Sequence, residues 1–245
     1  YTGDDDNDRT IPHSLGCKPG MILTKNREDS YSWNCYHKSL GIEVSIILNS
    51  DGDAQSANSS VYPVLPTSTV WSPGSTGGLN TTDDDYVAYL FADGDDTDAQ
   101  IFGDDGDEAI IKCGTYEGDG QSAGFFEEIG FEPQWILLKD ADSSGSGAPW
   151  IMVDNMRGWA VGEDNDGSAG ILHSNENDVE SASAGKLSPR ATGFNIDGNS
   201  SWVNTSGKTF IYVAIRRGPM KTPEDATKVF AMDTGSSSNP GPTFD

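Results

Sequence analysis

The sequence predicts an all-β protein built as two tandem antiparallel β-sandwich domains of jelly-roll-like connectivity, related by internal duplication; a barrel is the alternative closure. Three observations carry this. Apolar residues fall in runs of about four to seven, set between polar loops with turn signals, which is strand spacing. No window sustains a 3.6-residue apolar period over three helical turns. Three blocks of the first half recur, in order, in the second.

The blocks place the strands. Leu15-Gly16-Cys17-Lys18-Pro19-Gly20-Met21-Ile22-Leu23-Thr24-Lys25 matches Ile129-Gly130-Phe131-Glu132-Pro133-Gln134-Trp135-Ile136-Leu137-Leu138-Lys139, at an offset of 114. Each ends in a strand opened by a proline turn. Next come Trp33-Asn34-Cys35-Tyr36 and Trp150-Ile151-Met152-Val153, an antiparallel neighbour in each copy, with Gly41 facing Gly158. Val44 to Leu48 adds a strand to the first copy. Gly74 then matches Gly198, Leu79-Asn80-Thr81-Thr82 matches Val203-Asn204-Thr205-Ser206, and Tyr86-Val87 matches Phe210-Ile211, now at an offset of 124. Strands at Tyr86–Phe91 and Thr209–Ile215 close the copies with β-branched and aromatic residues. Ala109 to Cys113 reads as an opening strand of the second copy, whereas the first starts at Tyr1-Thr2-Gly3. A further strand is therefore expected beside Tyr1, from upstream chain or from a neighbouring molecule. The expected domains are 1–98 and 99–218, divided in the acidic stretch Asp93 to Glu108. Residues 219–245 form a Gly/Ser/Pro-containing extension toward a further module.

Composition narrows the setting. Acidic residues number 39 against 15 Lys+Arg, a net charge of −24. Such a surface repels phosphate backbones and anionic lipid, so nucleic-acid partners are excluded. No apolar run approaches the roughly 18 residues of a spanning helix, so membrane insertion is not expected. Asp outnumbers Glu 28 to 11 and clusters with Gly and Asn, which suits loops, and few Lys among many Asp suits a salty medium. The three cysteines show no metal spacing, and Phe131 and Met152 stand where Cys17 and Cys35 do; they read as core residues.

In Tyr1-Thr2-Gly3, Ile11-Pro12-His13-Ser14-Leu15-Gly16, Tyr36-His37-Lys38-Ser39-Leu40-Gly41, Tyr86 to Ala92, and Ala214 to Lys221, the repeat resembles a module of virion proteins from marine tailed bacteriophages, tail-fibre and appendage proteins above all. The resemblance implies an external virion location and a non-enzymatic spacer or host-surface-binding role. Its expected partners are further copies of the chain (a trimer suits a fibre), other virion proteins and a host surface glycan. The alternatives are a capsid-surface decoration protein and a glycan-binding or glycan-degrading domain outside phages. No catalytic residues carry over, and the second copy has Glu127 and Asp154 in place of His13 and His37.

Individual motifs add little chemistry. Gly120-Gln121-Ser122-Ala123-Gly124 fits the nucleophile-elbow pattern, which requires a following helix, and Pro133 leaves no room for one. Only His13, His37 and His173 could serve as imidazole bases. No cofactor is expected. The candidate Ca²⁺ ligands are Asp93, Asp95, Asp96, Asp98, Asp104, Asp105, Asp107, Glu163, Asp164 and Asp166, set in loops with glycine but without EF-hand spacing. Asn58, Asn80, Asn199 and Asn204 begin glycosylation sequons; the matched Asn80 and Asn204 are better explained as a repeated structural turn.

Overall fold

A computed structural model describes residues 1–94, 109–143, 148–159, 170–180 and 187–218 of the chain. Among the described residues, fourteen strands in antiparallel sheets account for nearly all the regular structure. In the first half these are β1 (Ile11–Pro12), β2 (Pro19–Asn26), β3 (Asn34–His37), β4 (Ile46–Ile47), β5 (Val70–Trp71) and β6 (Tyr86–Ala92). In the second they are β7 (Ile111–Glu117), β8 (Phe125–Glu128), β9 (Pro133–Asp140), β10 (Ile151–Asp154), β11 (Leu172–His173), β12 (Leu187–Arg190), β13 (Gly193–Ile196) and β14 (Thr209–Arg216). One helical turn, α1 (Gly77–Asn80), lies between β5 and β6.

Each half carries one large and one small sheet. The first has β4-β3-β2-β6 and the pair β1-β5; the second has β11-β10-β9-β14-β7 and β12-β13-β8. Prolines respect the ladders: Pro19 and Pro133 open their strands, and Pro189 lies on the edge strand β12, where its missing N–H costs no ladder bond.

Side-chain alternation along the central strands decides how the sheets stack. On β2, Ile22 points into a first-half core with Tyr36, Tyr62, Trp71 and Leu79. On β9 and β14, Ile136, Leu138, Phe210, Tyr212 and Ala214 point into a second-half core with Phe194 and Ile196 of β13. The intervening residues do not face solvent. Met21, Cys35 and Ile46 from the first half meet Cys113, Leu137, Trp150, Ile211 and Val213 from the second in a third core. The two large sheets therefore lie back to back, with a small sheet outside each. Polar bonds cross the same seam: the Trp150 indole N–H donates to the Ile47 carbonyl at 3.0 Å, the Ala54 amide to the Ala141 carbonyl at 2.8 Å, and Lys139 Nζ to the Asp51 carbonyl at 3.2 Å.

The ladders of the halves run in matching register. Leu23 pairs with Tyr89 and Ile22 with Leu90; at the sequence offsets above, Leu137 pairs with Val213 and Ile136 with Ala214. Both ladders slip one residue at their proline end, opposite Ala92 and Arg216. The Trp33 and Trp150 amides each donate to an asparagine Oδ1, of Asn49 and Asn175, at 2.8 Å. Tyr1 stacks on Tyr86 with ring centroids 5.0 Å apart, and Tyr116 on Phe210 at 5.1 Å.

Some elements differ from the sequence expectation. The strand expected over Val44–Leu48 is reduced to Ile46–Ile47, because the Ser45 carbonyl is taken by Gln55 N–H and Glu43 turns the chain at a left-handed φ of 62°. At the outer edge of β6, the described residues pair only around Tyr86, where Tyr1 and Tyr86 exchange N–H bonds to each other's carbonyls and Thr2 bridges Asp85, whereas β7 covers the corresponding edge of β14 from Thr209 to Ile215.

Candidate functional site

The site is a cleft of about 460 Å³ in the first half, within the range of roughly 300–1,000 Å³ usual for small-molecule sites. Its position follows from strand alternation. Cys35 and Ile46 pair across β3 and β4 and face the seam, so the adjacent pair Asn34 and Ile47 face the other way, into the cleft. A loop closes the far side, held to the strip beside β4 by the Gln55 amide on the Ser45 carbonyl (2.8 Å) and the Asn58 amide on the Glu43 carbonyl (2.7 Å). The α1 turn forms the third wall through Thr76 and Gly78.

Consecutive glycines let the walls converge. A Cβ on Gly77 would lie 2.6 Å from the Tyr31 hydroxyl, and one on Gly78 would lie 2.8 Å from Asn34 Nδ2. The Asn34 amide nitrogen faces the Ser32 and Gly78 carbonyls, both at 3.4 Å, so its oxygen is the side that remains open. Glu43, Ser45, Ser56 and Thr76 also line the cleft, and none of their side chains bonds to another described residue. Tyr31 presents its ring at the rim, 43% exposed. Among the described residues, no Lys, Arg or His lines the space. Glu43 is one of four described non-glycine residues at positive φ, a conformation that costs about 1–3 kcal/mol and gathers at ligand sites.

The residues singled out from sequence have other occupations. His37 is buried; Nε2 meets the Tyr212 carbonyl at 3.1 Å and Nδ1 accepts the Ser39 amide, capping a 3-10 turn that Gly41 closes at φ 81°. Asp154 caps the matching turn through the Arg157 amide, closed by Gly158 at φ 92°, which explains why Asp can stand for His. Burial holds His37 well below its ordinary pKa, to about 4. His13 bridges the Thr67 carbonyl and the Leu15 amide, and His173 Nδ1 lies 3.4 Å from the Trp150 carbonyl. Ser122 sits in an exposed turn leading straight into β8, so no nucleophile elbow forms. The cysteines are free and buried, and burial pushes the thiols of Cys35 and Cys113 far up.

Of the Ca²⁺ candidates, Asp93 is held by Lys38 at 2.6 Å. Asp95, Asp96, Asp98, Asp104, Asp105, Asp107, Glu163, Asp164 and Asp166 lie outside the described residues. Among the described residues no group of three His, Cys, Asp or Glu is placed to hold a metal ion, and no helix is long and apolar enough to cross a membrane. Asn80 and Asn204 are fully buried: Asn80 Oδ1 accepts the Asp4 amide and Asn204 Oδ1 the Asp119 amide, and each Nδ2 donates to that aspartate at 2.9 Å. The repeated sequon is a repeated turn.

Sequence reading missed the cleft. Its residues come from four separated stretches, and the one local signal was Glu43, a lone carboxylate between Ile42 and Val44. No curated protein and no solved structure matches the chain. A family model described as a domain of unknown function, DUF7483, matches residues 1–219. That span takes in both large sheets and the cleft, and the chain belongs to the DUF7483 family.

Proposed function

We propose that the chain is a non-enzymatic structural module of a tailed marine bacteriophage virion, part of a tail fibre or related appendage, serving as spacer and host-surface binder. Two jelly-roll-like sandwiches derived from one duplicated ancestor form it. The observation that supports this reading is the pairing of matched registers with a shared core, which locks the two halves back to back into one block. A spacer needs stiffness and repetition. The three histidines, usual carriers of acid–base chemistry, are all committed to backbone groups, which fits a binding role better than a catalytic one. The acidity suits a virion exposed to salt water, and homo-oligomeric contacts would strengthen as salt screens the like charge.

Locating the chain in a reconstruction of the particle tests the reading. Density in an appendage, at tens of copies per particle, is the expected result. Hundreds of copies on the capsid surface would make it a decoration protein, and absence from purified particles would refute the virion assignment.

A further inference from the structure

We infer that the first-half cleft binds a neutral saccharide, one sugar unit deep, with Glu43 accepting from its hydroxyls and the Tyr31 ring covering one face of the sugar. This deepens the host-surface-binding part of the proposed function and rests on it only for the biological source of the ligand.

The chemistry of the walls selects the ligand class. An anionic ligand meets no cation among the described residues that line the cleft, and it meets Glu43 on a protein of net charge −24. A purely apolar ligand would strip water from that carboxylate and from several hydroxyls without replacing their bonds, which is costly. Sugar hydroxyls both donate and accept, as the Ser45, Ser56, Thr76, Asn34 and Gln55 side chains do. An ammonium only donates, and it would leave the hydroxyl hydrogens of the wall unmatched. The half-exposed Tyr31 ring supplies the flat apolar surface against which the C–H face of a pyranose packs.

The backbone gives a second, independent argument. Glu43 is strained, and its carboxylate bonds to no described residue, so the fold gains nothing from having Glu there. Gly or Asn would occupy the same left-handed conformation more comfortably. A strained acid without a partner among the described residues, set in a concave polar site, is what a ligand contact explains. Its two ladder-like anchors, the Glu43 amide on the Tyr62 carbonyl at 3.1 Å and the Asn58 amide on the Glu43 carbonyl, fix where the side chain starts.

The test uses the full chain. Saturation-transfer NMR is run with methyl glycosides of glucose, galactose, mannose and fucose, beside a glycan array carrying neutral, sialylated, uronate and sulfated oligosaccharides. Binding of at least one neutral sugar is expected, weakened tenfold or more in Glu43→Gln and in Tyr31→Ala. Glu43→Gly separates ligand contact from scaffold: it should abolish binding while its Tm stays at or above that of the parent protein. Binding of acidic glycans alone, of methylammonium in place of sugars, or undiminished binding by Glu43→Gln and Glu43→Gly would each overturn the inference, as would no binding of any neutral glycan. If the chain proves absent from virions yet binds a neutral sugar through Glu43, the virion reading fails and this inference stands.

Discussion

Replacing His37 by Asn or Gln should make the protein less sensitive to acid. The imidazole is buried between the halves, on β3, against the Tyr212 carbonyl of β14, beside Lys38, whose ammonium pairs with Asp93. Burial lowers its pKa from 6.5 to about 4, with the Lys38 charge acting in the same direction and the Tyr212 bond opposing both. The unfolded chain therefore binds more protons than the folded chain between these values. His37 leaves stability untouched above pH 6.5 and removes it as pH falls toward 4. Linkage puts the loss at about 2 kcal/mol at pH 5 relative to pH 8, and about 3 kcal/mol below pH 4. For a body of this size that is about 4–8 °C in Tm at pH 5. Glu127 works with the opposite sign, since burial raises its carboxyl and acid relieves that cost, and it is common to all variants. Urea titrations at pH 8 and pH 5 give the change within each protein, so any baseline cost of the substitution cancels. If His37→Asn and His37→Gln lose as much stability between those pH values as the parent protein, the buried neutral imidazole is not what acid attacks.

Trp150→Phe removes the indole bond to the Ile47 carbonyl across the seam and should cost about 1–3 kcal/mol, read as a lower midpoint of a single cooperative unfolding transition; two separated transitions would contradict the shared core. Asn80→Ala and Asn204→Ala should each destabilise by about 2–4 kcal/mol, since each strips several buried partners at a turn, whereas neutral results would remove the repeated turn from the account of the fold. Native protein should leave all three thiols unlabelled by a disulfide reagent at pH 8, with full labelling in denaturant, because all three are buried and burial pushes those of Cys35 and Cys113 far above their ordinary pKa.

The long strands were legible because their sequence is dense: Met21-Ile22-Leu23, Trp135-Ile136-Leu137-Leu138 and Phe210 to Ile215 can scarcely be anything but buried β. The equivalence of Asn80 with Asn204 and of Gly41 with Gly158 was legible too, because turns and caps restrict residue type. The small outer sheets were not. β1, β5 and β11 are two-residue pairings, and the hairpin of β12 and β13 carries Pro189 and Gly193 in its strands, so local propensity argues against elements that tertiary packing imposes. The cleft was invisible for a different reason. Its chemistry is spread over Tyr31, Glu43, Gln55 and Thr76, which only the folding of β3, β4 and α1 brings together.

The arrangement of the halves was also written in the sequence, in a feature that points away from two free-standing sandwiches. A sheet with one solvated face alternates apolar and polar residues along its strands. β9 and β14 hardly alternate: Trp135 and Leu137 are apolar on one face and Ile136 and Leu138 on the other, and Ile211 and Val213 back Phe210, Tyr212 and Ala214. The first half reciprocates with Met21, Leu23 and Cys35 on one face and Ile22 and Tyr36 on the other. The central strands have no face fit for water, so separating the halves would expose Met21, Cys35 and Ile46 on one side and Leu137, Trp150, Ile211 and Val213 on the other. The small residue Cys35 and the bulky Trp135, Trp150 and Met152 of the other half share this seam. Cys35 and Met152, and likewise Met21 and Trp135, hold matching places in the two halves, and all four pack into this one core.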